Sequence, residues 1–183
     1  LDGTLFPYTT LFRSEFNMQL LVIIVFFIAN LVSLQTSAAE PSRGDGKLAL
    51  FNYHLGEYEE IFYKDNRTYS KEGLAKIDDI MRSRDGKKHR MDISLIELLD
   101  EIQDHFRAET VELISCYRSP DVNKSIIENG RGASGKSLHM NGKACDIHLD
   151  EADEFEIYKY VKNRGAGGAG FYPRHGFVHI DTG

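Results

Sequence analysis

Apolar positions recur along this chain with two periods, and the switches between them mark out the elements. Leu48, Leu50 and Asn52 alternate with Ala49, Phe51 and Tyr53, and an extended run at 59–63 follows Gly56-Glu57. A hairpin at the domain entrance is the reading. Leu74, Ile77, Ile80 and Met81 are then spaced by threes and fours behind Ser70, a good capping residue, which predicts a helix. Leu95, Leu98, Leu99, Ile102 and Phe106 predict a second helix over 94–106. Between them, Asp85-Gly86 and Lys87-Lys88-His89-Arg90 read as a solvated polar loop. TVELISC, residues 110–116, returns to period two as a core strand, and Pro120 opens a short helix over 120–128.

Residues 129–136, NGRGASGK, read as a flexible loop. A strand follows over Lys143–Leu149, and Phe155, Ile157, Tyr158 and Val161 fit a helix begun at Asp150 or Glu151. RGAGGAGFYP leads into a strand near Gly170–Tyr172, and Phe177–Asp181 is the last strand. The glycine run follows a helix and precedes a strand, the reverse of a nucleotide-binding turn, so close backbone approach or mobility is its reading. Short strands with hairpin-like returns and helices before and between them predict an α+β domain with a small antiparallel sheet.

With 42% hydrophobic and 27% charged residues, the 183-residue chain has the composition of one globular domain. A net charge of -6 and the lack of a basic stripe argue against nucleic acid as partner. TLFPYTTLFRS, residues 4–14, reads as a translated sequencing adapter, so residues 1–17 are set aside as non-native and Met18 is taken as the start. The apolar block Leu20–Leu34, broken only by Asn30 and Ser33, is short of the roughly 20 residues that span a bilayer. Residues 18–39 are therefore expected to be a signal peptide cleaved before Glu40, or, lacking a basic start, an uncleaved anchor. Membrane contact is expected through that segment alone. Residues 40–46 read as a linker and 47–183 as an exported domain, periplasmic or secreted. Strand alternation puts Cys116 and Cys145 on opposite sheet faces, so two buried free thiols are expected.

The chemistry gathers in SLHMNGKACDIHLD, residues 137–150. His139 and Asp146 are seven apart with Gly142 between them, which suits a loop placing the histidine and a strand presenting the carboxylate. His179 in FVHID, on a second strand, completes a two-His, one-carboxylate set. Three such ligands with a fourth position left for water are the pattern of a catalytic zinc site. Taken singly, His179 reads more readily as a satisfied core histidine, and Arg118 also as a salt-bridge residue at a strand end.

YRSP, SLHMNGKACD and GGAGFYPRHGFVHIDTG together resemble the M15 group of zinc peptidases, in its YcbK-like branch, over residues 48–183. That resemblance implies a hedgehog/D,D-peptidase-like fold, one Zn²⁺ and hydrolysis of amide bonds in the peptide cross-links of peptidoglycan. It makes His139, Asp146 and His179 the metal ligands. Arg118 is placed to face the scissile carbonyl, and Ser137 to brace the loop. Relatives in the wider group carry a Glu three residues before the last zinc His or a His two before it. Here those positions are Gly176 and Phe177, so Asp181, on the strand face of His179, is the candidate proton carrier. His148, Tyr172 and His175 are further residues at hand. Two alternatives stand beside the endopeptidase: a non-catalytic zinc-containing peptidoglycan-binding module and a D,D-carboxypeptidase.

Overall fold

The computed structural model describes residues 44–130 and 133–183; the adapter-like segment, the leader and residues 40–43 of the linker lie outside them. The chain enters through the expected hairpin, β1 (Lys47–Asn52) and β2 (Glu57–Phe62), turning at Gly56 with φ 65°. A two-residue hairpin, β3 (Lys64–Asp65) with β4 (Thr68–Tyr69), follows; it is too short to carry a period and was not foreseen. Helix α1 (Lys71–Ile80) starts under Ser70, whose Oγ accepts from Gly73 N at 3.0 Å. Helix α2 (Ile93–Phe106) starts under Asp92, which accepts from Ser94 N at 2.8 Å. These bonds satisfy backbone donors that a helix start leaves unpaired.

Strand β5 (Val111–Ser115) leads through a Ser119 cap into α3 (Pro120–Glu128), then a 3₁₀ turn at Leu138–Asn141 and strand β6 (Ala144–His148). Helix α4 (Glu154–Arg164) begins later than the hydrophobic spacing suggested, because Asp153 caps it by accepting from Phe155 N at 2.8 Å. Strands β7 (Ala169–Tyr172) and β8 (Phe177–Asp181) close the chain. Among the described residues no helix is long and apolar enough to cross a membrane.

The main sheet has the order β2-β1-β5-β6-β8-β7. Every pair is antiparallel except β1 with β5. The expected α+β class with a mostly antiparallel sheet is what forms. The one parallel pair needs a crossover, and the segment holding α1 and α2 provides it. Period two gives the sheet two unlike faces. Leu48, Leu50, Val111, Leu113, Cys145, Ile147, Val178 and Ile180 are buried in one cluster with Ile77 and Ile80 of α1, Leu95, Leu99 and Ile102 of α2, and Ile157 and Val161 of α4. The other face carries Asp146 and His179.

One expectation about this sheet is overturned. Cys116 and Cys145 form a disulfide, so the free thiols read from strand parity are absent. The register of β5 against β6 slips between Leu113, opposite Ile147, and Ser115, opposite Asp146. An irregularity of this kind inverts the alternation beyond it. Ser115 therefore lies on the Asp146 face, and Cys116 turns to the core face that Cys145 occupies.

Candidate metal centre

Register builds the centre. Ser115 on β5 pairs with Asp146 on β6, Asp146 with His179 on β8, and His179 with Gly170 on β7. Paired residues share a face, so four strands present one row of positions. Gly170 has no side chain for a steric reason: a Cβ there would lie 2.8 Å from the Tyr172 ring and 3.3 Å from His179 Cβ. His139 reaches the row from the 3₁₀ turn. That turn ends at Gly142 with φ 65°, where a Cβ would lie 2.7 Å from Arg90 O. Only glycine is comfortable with both constraints.

One ligand atom from each of His139, Asp146 and His179 falls within 4.8 Å of the other two. His179 Nδ1 lies 2.8 Å from Asp146 Oδ1 and 3.2 Å from His139 Nε2, and His139 Nε2 lies 3.4 Å from Asp146 Oδ1. His139 and Asp146 are 3% and 4% exposed, which leaves solvent to approach past His179. The outward nitrogens are also held. His139 Nδ1 donates to Cys116 O at 2.8 Å, and Arg118 N donates to His139 O at 3.2 Å. His179 Nε2 is 3.3 Å from Asp181 Oδ2. Asp181 in turn accepts from Gly168 N at 2.9 Å and Gly183 N at 3.2 Å. A Cβ on Gly168 would collide with Asp181 Oδ2, so close backbone approach accounts for this part of the glycine run.

Arg118 binds the same carboxylate from the cleft side. Its Nη2 donates to Asp146 Oδ2 and its Nε to Ser115 Oγ at 2.8 Å. Burial alone would raise the Asp146 carboxyl, but hydrogen bonds from His139 and His179 and the charge of Arg118 hold it well below the usual carboxylate range. Burial lowers the His179 imidazole, and Asp146 and Asp181 more than offset it, leaving it raised. Burial lowers the Arg118 guanidinium against the attraction of Asp146. The outcome is an ionised carboxylate beside two imidazoles, a donor set with the hardness and charge that suit Zn²⁺. The orientation of each imidazole through its other nitrogen is the arrangement usual for metal-binding histidines.

A cleft of about 490 Å³ opens onto this row, with His54, Arg84, Arg118, Lys136, Tyr172 and Phe177 among its walls. Tyr172 stacks on Phe177 with ring centroids 4.7 Å apart. Ser137 lines the cleft too, but its side chain makes no capping hydrogen bond; its carbonyl accepts from Met140 N at 3.1 Å. His148 lies 3.4 Å from both Asp150 and Glu154, and His175 rests beside the Phe177 ring. Sequence reasoning missed Ser115, Arg84, His54 and the Cys116 carbonyl. No local pattern marks them, since their roles come from strand register and from turns meeting in space.

The family model for the peptidoglycan L,D-endopeptidase MepK, of the M15 peptidases, matches residues 38–183. The chain belongs to this family. It is 39% identical over 138 residues to the peptidoglycan L,D-endopeptidase MepK of Escherichia coli K12, covering 74% of this chain and 76% of that one. The probable peptidoglycan L,D-endopeptidase MepK of Haemophilus influenzae is 30% identical over 139 residues, covering 74% and 75%. No solved structure matches the chain significantly.

Proposed function

We propose that the protein is an exported, zinc-dependent murein endopeptidase that hydrolyses amide bonds in peptidoglycan peptide cross-links, with His139, Asp146 and His179 as metal ligands. The convergence of these three donors within 4.8 Å, two of them lining an open cleft, in a member of this peptidase family, carries the reading. The names of the relatives favour an L,D bond as the one cut. A bound Zn²⁺ supplies Lewis acidity that lowers the pKa of a water toward ~7.

The remaining work belongs to the chain. Cys116 O and Asp181 fix the two imidazoles in orientation, each through the nitrogen pointing away from the donor cluster. Arg118 is tied down by Ser115 and Asp146 at the cleft wall, where a permanent, pre-oriented charge stabilises the oxyanion that develops on the scissile carbonyl. Asp181 lies behind His179, so its influence on the reacting water passes through that ring. This makes it a positioning residue, which holds the His179 imidazole in orientation through Nε2.

One observation favours a second reading, a zinc-containing binding module. Among the described residues that line the cleft, Asp146 is the only carboxylate. A single digestion separates the readings: purified cross-linked muropeptide dimers with and without a chelator, read by mass spectrometry. Conversion to monomers that the chelator stops, and a loss beyond 100-fold in His139→Ala with the circular dichroism spectrum retained, are the expected results. Stoichiometric zinc with intact dimers would instead make the domain a binder. Release of a terminal residue alone would make it a carboxypeptidase.

A further inference from the structure

The segment joining α1 to α2 is rich in cations, and three that flank Arg84 have acidic partners. Arg82 is paired with Glu57 at 2.6 Å and Asp79 at 3.4 Å. Lys87 is paired with Asp121 at 2.6 Å, and Lys88 with Asp79 at 2.7 Å. Arg84, between them, is exposed and has no hydrogen bond or ion pair among the described residues. It lines the cleft of the metal centre beside Arg118, and is close enough that its charge works against the Arg118 cation.

Two like charges on one wall cost energy unless an anion joins them. The wall cannot supply that anion. Among the described residues that line it, the only carboxylate, Asp146, is already engaged by Arg118 through Oδ2 and by His179 through Oδ1. Lys136 and His54 add donors to the same cleft. In a chain of net charge -6, this concentration of cations facing one groove runs against the overall balance. A guanidinium fork matches a carboxylate with two parallel N–H bonds.

We propose that Arg84 forms a subsite for a free carboxylate of the substrate peptide next to the candidate metal centre, leaving Arg118 to the scissile carbonyl, so that the enzyme selects cross-links bearing unamidated acids. This rests on the peptidase reading above and names the feature of the substrate that the cleft recognises. Arg84 contributes to binding and register, with no part in the proton transfers.

The test uses muropeptide dimers with their side-chain carboxylates free or amidated, and the corresponding uncleaved peptide monomers. Wild type is expected to show a KM for the acidic dimer about tenfold below that for the amidated one, the size of one charge-assisted contact. Arg84→Gln is expected to erase that preference by raising the KM for the acidic dimer about tenfold, with kcat moved far less, and Arg84→Lys to restore part of it. Calorimetry on the monomers should show the same contrast without turnover. Equal KM for the two dimers in wild type, or an undiminished preference in Arg84→Gln, overturns the subsite. If wild type cleaves neither dimer, the endopeptidase reading is lost, and the monomer affinities alone decide the carboxylate site.

Discussion

Asp100 is wholly buried on α2, away from the cleft, where Oδ2 accepts from Gly46 N at 2.9 Å and Tyr63 OH at 2.8 Å while Oδ1 has no partner among the described residues. Burial, helped by the charges of Asp104 and Asp45 and opposed by those two hydrogen bonds, pushes its carboxyl up from 3.8 to about 6. The folded state then holds the proton more tightly than the unfolded chain does. Its contribution is greatest below about pH 4 and falls away as pH rises to about 6, by about 3 kcal/mol in all. Chemical denaturation at pH 4 and pH 7 should show Asp100→Asn losing most of that difference; an unchanged slope would assign it to other groups. The residue types at the candidate centre were legible in the sequence, because two histidines and an aspartate in a family motif mark a candidate metal site. Asp100 was not, since nothing in DEIQDHF distinguishes a buried aspartate from the exposed ones.

At the scale of elements, the slip in β5 does more than seat Ser115 under Arg118. It turns Cys116 toward Cys145, and the resulting disulfide ties the end of β5 to the strand that carries Asp146. The carbonyl of Cys116 also holds His139, so the bond braces two of the three proposed ligands at once. Closing a 29-residue separation is worth roughly 3–4 kcal/mol through the unfolded chain. A Cys116→Ala/Cys145→Ala double variant is expected to lose about that much in urea denaturation, and reductant to destabilise wild type but leave the variant unmoved. Equal midpoints for the two proteins would show that the bond is not formed. The helices and strands themselves were readable from period, with α3 and β8 falling on the residues predicted. The start of α4 was not, because the Asp153 cap overrode the hydrophobic spacing.

At the scale of the molecule, the sheet divides labour between its faces. One face is packed against α1, α2 and α4 and gives the stability; the other is left to hold charge in a cleft. The proposed ligands lie on two strands and a turn, so a metal bound there stabilises only the folded arrangement. Zinc at about a hundred times its dissociation constant should add about 2.7 kcal/mol. A thermal midpoint that rises with zinc in wild type and stays flat in His179→Ala is the expected result; parallel shifts would place the zinc elsewhere.

The sequence by itself determined the α+β class, most element positions, the acidic balance and the three candidate donors, because periodicity, capping and motif spacing are local properties of the chain. Tertiary structure decided the disulfide, the parallel β1–β5 pair, the place of Asp181 behind His179 and the cluster of cations around Arg84. Each depends on strand register or on segments far apart in sequence meeting in space. A shift of one residue in a strand exchanges the two faces, and no local pattern records it.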